Sequence, residues 1–245
     1  MTILLDKKSI SYRKCLIDVL IHAGRGHLGA TLSLLEIFRV LYEDVTKINK
    51  KNFKDKNKDI IILSKGHGCL AQYILLENLK ILKRRDLYEF CKFGALLGGH
   101  TDFKVPGIKF STGSLGHGLS IATGLAISKQ IKGEKQNIYV ILGDGELNEG
   151  SNWEAFLSIN KHRLNNLNII IDNNKIQSAG YTDKILSLYP LKNKFESFNL
   201  EVFECNGHDV KELKTNFRKM KMIKNRSKIL IANTVKGKGI KTIEN

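Results

Sequence analysis

Short apolar runs alternate with longer amphipathic segments along this chain. The short runs have the length of buried strands and lie at Ile60–Leu63, Ile138–Leu142, Leu167–Ile171, Leu200–Phe203 and Ile229–Ala232. Apolar stripes with helical spacing occur at 8–23, 32–45, 68–80, 117–131, 150–163 and 209–222. Strands that are apolar on both faces and are separated by helices predict an α/β fold, a mostly parallel sheet with helices on both faces. Ligands of such folds bind at the carboxyl ends of the strands.

The composition is typical of a globular protein in a reducing compartment. The 245 residues contain no internal repeat and no linker rich in Gly, Ser or Pro, so one domain over residues 1–245 is expected. The four cysteines are scattered, without a CxxC pair or zinc spacing, which indicates reduced thiols in a cytoplasmic protein. No run is long enough to span a membrane and the N-terminus lacks a secretory pattern, so neither a membrane nor export is expected.

The formal net charge of +16 leaves several partners open. Nucleic acid, an acidic membrane surface and phosphorylated ligands would all suit a basic protein. The lysines cluster within 50–58 and 211–224, without the interleaved aromatic residues of a strand-binding surface. A solvated basic face is the leading interpretation, and a field that attracts anionic substrates or an acidic partner is the alternative. Nucleic acid binding is not expected.

Residues 24–29, GRGHLG, match the GxGxxG fingerprint of dinucleotide-binding folds in an unsuitable context. The fingerprint requires a strand before its first glycine and a helix after its last, whereas here a helical stripe ends at Gly24. The segment is predicted to be a helix C-cap followed by a tight loop. A further interpretation is that its glycines let the backbone approach a ligand and present His27.

Two polar motifs each follow a predicted strand. GDGE occupies residues 143–146, and DNNKI occupies residues 172–176. One strand–helix–strand unit separates Asp144 from Asn174, and adjacent parallel strands would bring them together. A carboxylate, an amide oxygen and a backbone carbonyl, completed by diphosphate oxygens, form the oxygen shell that Mg²⁺ or Ca²⁺ prefers. A GDG triplet alone is weak, because many are turns, but the pair of motifs predicts a metal and diphosphate site.

Residues 143–180, from GDGELNEGSNWEAF to DNNKIQSAG, resemble the thiamine diphosphate signature of transketolases. The segments GHLGATLSLLEI, LSKGHG, LGGHTD and STGSLGHGLSIATGLA lie upstream in that family's order, and TVKGKG lies downstream. The resemblance covers roughly residues 10–240. It is closest to the split form of the enzyme, in which the diphosphate-binding and pyrimidine-binding domains are separate chains.

The resemblance implies a set of site residues. Asp144, Asn174 and the carbonyl of Ile176 match the metal ligands. Positions that match contacts to the cofactor are His67, Gly113, Ser114, Leu115, Asp144, Gly145, Glu146, Asn174 and Ile176. The histidines implied in catalysis are His27, His67 and His100, of which the first and last match residues that line the substrate channel. Glu149 matches a carboxylate at the subunit interface. Without the resemblance, each lone histidine would more often be structural.

The implied activity is the thiamine diphosphate-dependent transfer of a two-carbon ketol unit from a ketose, phosphorylated or otherwise modified, to an aldose. A separate pyrimidine-binding subunit would supply the glutamate that activates the cofactor, in a two-plus-two assembly. One alternative is another thiamine diphosphate enzyme, similar to deoxyxylulose phosphate synthase or to a 2-oxo acid dehydrogenase. The other is a non-catalytic binding subunit.

Three departures from the family's pattern lie near the substrate side. Leu28 stands where proline is usual, GGHTD replaces the commoner GHPE, and His117 stands where glutamine is usual. They leave the donor and acceptor sugars open. A further active-site histidine of the family, and its arginines for sugar phosphates, are expected outside these residues.

Overall fold

The computed structural model describes residues 5–244, and at its centre lies a parallel sheet. Its strands are β1 (Ile60–Leu63), β2 (Ile138–Gly143), β3 (Leu167–Asn173), β6 (Glu201–Asn206) and β7 (Lys228–Asn233). Their order in the sheet is β1-β2-β3-β7-β6, and each neighbouring pair is parallel. A small antiparallel hairpin, β4 (Ile176–Gln177) and β5 (Gly180–Tyr181), follows β3. The predicted α/β class is confirmed.

Helices cover both faces of the sheet. They are α1 (Lys7–Ala23), α2 (Leu28–Val40), α3 (Cys69–Asn78), α4 (Arg84–Tyr88), α5 (His117–Ile131), α6 (Gly150–His162), α7 (Thr182–Ile185), α8 (Leu191–Ser197) and α9 (Val210–Met222). The Asp6 carboxylate caps α1 by accepting from the Ser9 amide at 2.8 Å. Gly24 ends α1 with φ of 63°, and its amide donates to the Leu20 carbonyl. The predicted C-cap is therefore correct.

Alternate strand residues feed two separate apolar clusters. Tyr139, Ile141 and Ile170 pack with α1, α2, α3 and α9 on one face. Val140 and Ile169 pack on the other face, together with side chains of α5, α6 and α8. Because successive side chains of a strand point to opposite faces, burial on both faces requires the continuous apolar runs seen in the sequence.

Several boundaries differ from those that the apolar pattern predicts. The helix expected over 32–45 begins earlier, at Leu28, and its last turn, Leu41–Val45, is a π-helix. The strand expected at Leu200–Phe203 runs from Glu201 to Asn206, because pairing with β7 extends it beyond its apolar residues. The short elements α4, α7, α8 and the hairpin have too few residues to show a period.

All four cysteines are free thiols, with no disulfide bond. Within residues 5–244, no helix has the length and apolar character needed to cross a membrane.

Two glycines of α5 provide a matched test of this packing. At Gly118 an added Cβ would lie 2.2 Å from the Ser64 Oγ and 2.7 Å from its Cα, because α5 meets the end of β1 there. At Gly124 an added Cβ would meet nothing within 4 Å. We expect Gly118→Ala to lower the free energy of unfolding by about 1–3 kcal/mol, and Gly124→Ala to raise it by up to about 1 kcal/mol.

Urea denaturation of both variants checks this prediction. Equal stabilities of the two variants would contradict the close approach of α5 to β1.

Candidate active site

A cavity of about 160 Å³ lies at the carboxyl ends of β1, β2 and β3. Seven of the positions that match cofactor contacts line it: His67, Leu115, Asp144, Gly145, Glu146, Asn174 and Ile176. The register of β2 and β3 pairs Gly143 with Asp172, so the two polar motifs begin side by side. The structure therefore brings together the two motifs that the sequence separates.

The three expected metal ligands surround this cavity, and backbone amides orient two of them. The Asp144 carboxylate accepts from the amide of Gly145 at 2.9 Å and from that of Lys175 at 2.5 Å. The Asn174 Oδ1 accepts from the Ile176 amide at 3.1 Å. The Ile176 carbonyl accepts from the Lys236 Nζ at 3.4 Å. A carboxylate, an amide oxygen and a carbonyl thus line one cavity, and cation binding there stays a prediction.

The electrostatics of Asp144 suit a cation ligand. The residue is 6% exposed. Burial raises the pKa of Asp144 to about 6, the nearby Asp172 carboxylate adds to the rise, and Lys65 opposes it. A raised pKa means that the ionised form is disfavoured where it stands. A divalent cation at this carboxylate would favour that form and lower the pKa again.

Two lysines in the cavity were not predicted as site residues. Lys65 lies shortly after the end of β1, and its Nζ lies 2.7 Å from the Asp172 Oδ2 in a buried ion pair. Lys236 follows β7, and its pKa is lowered by burial and then by repulsion from Lys65. Both belong to segments that resemble the family, LSKGHG and TVKGKG. For Lys65 the sequence offers a further indication, because this lysine follows shortly after the fully apolar strand β1. A lysine buried at that position would need an anionic partner.

Buried polar atoms without partners test whether a diphosphate group fits this cavity. The Asn148 Oδ1 and the Gln177 Nε2 are buried, have no hydrogen-bond partner in residues 5–244, and belong to residues that line the cavity. An added Cβ at Gly145 would lie 2.7 Å from the Gln177 Cβ, so glycine allows the hairpin to lie this close. Two ammonium groups, an unpaired amide donor and the expected metal ligands therefore fit a metal-bound diphosphate.

Glu146 has a different role from the other residues of its motif. Its carboxylate accepts from the amides of Gly116 at 3.0 Å and Gly143 at 3.1 Å, and from the Ser64 hydroxyl at 2.5 Å. These bonds join the turn at 113–116 to the ends of β1 and β2. The side chain thus positions the turn that carries Leu115, and a cofactor contact through Glu146 stays a prediction.

The turn at 113–116 reaches the histidines. An added Cβ at Gly113, where φ is 141°, would lie 2.6 Å from the His100 ring. Leu115 lines the cavity, whereas Ser114 is exposed. Glu149 is exposed at the N-cap of α6, directly before Gly150, and also lines the cavity. Its place at a subunit interface stays a prediction.

The three predicted histidines form one cluster. The ring centroid of His27 lies 5.4 Å from that of His67 and 5.6 Å from that of His100. Burial lowers the pKa of His67 to about 3, with Lys65 as the next cause. Burial and then His100 lower the pKa of His27. Neutral imidazoles each offer one donor and one acceptor to hydroxyl groups.

A second cavity, of about 540 Å³, adjoins this cluster and is lined by His27, His100, Arg25 and Lys92 among others. The histidine cluster borders both cavities, since His67 lines the first and His27 and His100 line the second.

The parallel sheet, the polar motifs at its carboxyl edge and the lysine-lined cavity define a diphosphate-binding domain of the α/β class. Residues 5–245 match the sequence family described as the transketolase thiamine diphosphate-binding domain. The chain therefore belongs to the transketolase family.

Relatives and solved structures agree with this assignment. The chain is 40% identical over 242 residues to an apulose-4-phosphate transketolase subunit of Actinobacillus succinogenes, covering 98% of this chain and 87% of that protein. It is 36% identical over 228 residues to a 6-deoxy-6-sulfo-D-fructose transketolase subunit of a Clostridium species, covering 93% and 83%. The crystal structure of transketolase from Campylobacter jejuni matches with a TM-score of 0.89 and 29% identity, over 100% of this chain and 40% of that one.

The low pKa of His67 predicts an acid-sensitive fold. The pKa of His67 is about 3 in the folded chain and 6.5 for an ordinary histidine. Between these two pH values the unfolded chain binds a proton that the folded chain does not bind at His67. Stability is therefore lost as the pH falls below 6.5, by up to about 1.4 kcal/mol per pH unit. We expect His67→Asn to weaken this dependence between pH 6.5 and 5, and the exposed His162→Asn to leave it unchanged.

Denaturation of the cofactor-free chain at several pH values measures the slopes. An unchanged slope in His67→Asn would contradict the burial of a neutral imidazole.

Proposed function

We propose that this chain is the cofactor-binding subunit of a split transketolase and forms a single domain over residues 1–245. It binds thiamine diphosphate through Mg²⁺ or Ca²⁺ held by Asp144, Asn174 and the Ile176 carbonyl. A separate pyrimidine-binding subunit completes the active site, in a two-plus-two assembly in the cytoplasm. The chain spans most of the two subunits to which it is similar, but about two fifths of a solved transketolase.

The observation that carries the proposal is that one histidine cluster borders both cavities. The first cavity combines the expected metal ligands with Lys65 and Lys236. The second has space for a sugar and is lined by His27 and His100. The residues that would hold the diphosphate thus line one cavity, and the histidines that would meet a sugar line the other.

Each group of residues then has a chemical task. The chemistry supplied by bound thiamine diphosphate is carbanion stabilisation during carbon–carbon bond cleavage and formation. Lys236 offers an ammonium group to the diphosphate, Lys65 adds positive charge beside it, and Asp144 holds the metal that supplies the rest of the positive charge. His27 and His100 hold hydroxyl groups of the donor sugar and can accept or donate a proton there.

The second cavity favours an anionic sugar. Arg25 and Lys92 line it, and no carboxylate lies among its lining residues. The two relatives described above are named for a sugar phosphate and a sulfonated sugar. We therefore propose a ketose donor with a phosphate or sulfonate group that lies near these two cations.

Asp144→Asn tests the cofactor site, because it removes the charge of the metal ligand and keeps its size. We expect affinity for thiamine diphosphate in the presence of Mg²⁺ to fall by at least about 100-fold, together with the loss of transketolase turnover in mixtures with a pyrimidine-binding subunit. The exposed Asp183→Asn serves as the control and should retain both. Binding is measured by calorimetry. Unchanged binding and turnover in Asp144→Asn would refute the proposed metal site.

Arg25→Ala and Lys92→Ala test the substrate class. We expect each to raise KM for a ketose phosphate by about threefold to tenfold, since each removes a charge-assisted contact. KM for the same ketose without its phosphate should not change, and the exposed Arg163→Ala should change neither. Equal effects on the two donors would show that these cations do not recognise the anionic group.

A further inference from the structure

A buried ionic cluster of Arg13, Glu36 and His208 lies outside the residues that line the first cavity, and none of its members is among the site residues predicted from the sequence. Glu36, on α2, is 0% exposed, and Arg13 and His208 are each 4% exposed. The Glu36 carboxylate accepts from the Arg13 Nη1 at 2.5 Å and Nη2 at 2.9 Å, and from the His208 Nδ1 at 2.8 Å. The bonds from Arg13 and His208 hold the pKa of Glu36 at about 2, although burial acts in the opposite direction.

Arg13 and His208 each also bind the backbone of one loop, residues 235–238. The Val235 amide donates to the His208 Nε2 at 2.9 Å. The Lys238 carbonyl accepts from the Arg13 Nε at 2.8 Å. The cluster thus holds both ends of the loop through a single carboxylate.

The hydrogen bonds determine the tautomer of His208. A backbone amide can only donate, so the Nε2 that faces Val235 must be the acceptor. The Nδ1 then carries the proton and donates it to Glu36. The His208 ring therefore donates to the Glu36 carboxylate and accepts from the Val235 amide, and so connects the carboxylate to the loop.

Lys236 lies between the two held ends of the loop. Its side chain lines the cofactor cavity, and an added Cβ at Gly29 would lie 3.0 Å from its Cγ. The Gly237 amide donates to the Gly29 carbonyl at 3.2 Å. The start of α2 therefore supports the stem of Lys236, while Glu36 on the same helix fixes the loop through Arg13 and His208.

We propose that Glu36, Arg13 and His208 are positioning residues that fix the 235–238 loop so that the Lys236 ammonium faces the diphosphate of the cofactor. A lysine side chain loses considerable conformational entropy when it is held in place. A backbone that is already fixed reduces the cost of binding. The inference rests on the proposed function, because it assigns a diphosphate to the cavity.

Two substitutions of His208 separate positioning from general stability. Glutamine can place an amide oxygen near the position of Nε2, so His208→Gln keeps the acceptor for Val235 and loses the donor to Glu36. Asparagine can place an amide nitrogen near the position of Nδ1, so His208→Asn keeps the donor to Glu36 and loses the acceptor. Bonds to charged groups contribute more than neutral ones, so His208→Gln should be the less stable variant.

The loop and the cofactor should show the opposite order. We expect His208→Asn to exchange backbone amides within 233–239 about tenfold faster and to bind thiamine diphosphate with Mg²⁺ about tenfold more weakly, as loss of one hydrogen bond allows. His208→Gln should change both by less, about threefold, because it keeps the acceptor for Val235 and loses only the bond to Glu36. Hydrogen exchange by mass spectrometry and calorimetry on the full chain measure these quantities. The proposal would be overturned if the less stable variant, His208→Gln, showed the faster exchange and the weaker cofactor binding.

A double-mutant cycle shows whether the effect passes through Lys236. Lys236→Met should weaken cofactor binding without faster exchange of the loop. In that background His208→Asn should have no further effect on affinity, and an undiminished effect would overturn the proposal.

If the unchanged protein binds no thiamine diphosphate even with a pyrimidine-binding subunit, the proposed function fails. Positioning for the cofactor then falls with it, whereas the exchange data still report whether the cluster fixes the loop.

Discussion

One fully buried carboxylate joins the elements that surround the active-site cavity. Asp172, at the end of β3, accepts from the Lys65 Nζ at 2.7 Å, from the Ser33 hydroxyl at 2.6 Å and from the Thr234 hydroxyl. These partners come from the segment after β1, from α2 and from the segment after β7. Burial opposes ionisation, but Lys65 and the hydroxyls hold the pKa of Asp172 below its usual value. Removing one partner of such a pair costs about 3–5 kcal/mol, so these segments are held to one arrangement.

The position of His67 follows from this constraint. The buried pair fixes Lys65, and a single 3₁₀ turn, Gly66–Gly68, leads from it to α3. At Gly66 an added Cβ would lie 2.5 Å from the Thr112 carbonyl oxygen, so the turn lies directly against the segment that precedes residues 113–116. The Lys65–Asp172 ion pair and the close approach at Gly66 therefore fix the turn that carries His67 beside His27.

The sequence predicted what depends on local pattern. Five apolar runs predicted the five strands of the sheet, and the spacing of Asp144 and Asn174 placed both at one edge. It could not predict which charged residues would be buried as partners. Ser33 and Asp172 are 139 residues apart, and Glu36 and His208 are 172 residues apart. No periodic pattern connects such positions, so the partner of Lys65 and the members of the Glu36 cluster could be identified only in the folded chain.

The charges of the cavity explain why a divalent cation would be needed there. Among the lining residues, Lys65 and Lys236 are basic, whereas Asp144, Glu146 and Glu149 are acidic. Lys65 is already paired with Asp172. A diphosphate that entered with no cation would therefore approach more negative than positive charge, in a site where burial strengthens repulsion. A divalent ion at the proposed site on Asp144 would reverse this balance, and it would favour the ionised form of a carboxylate whose pKa burial raises.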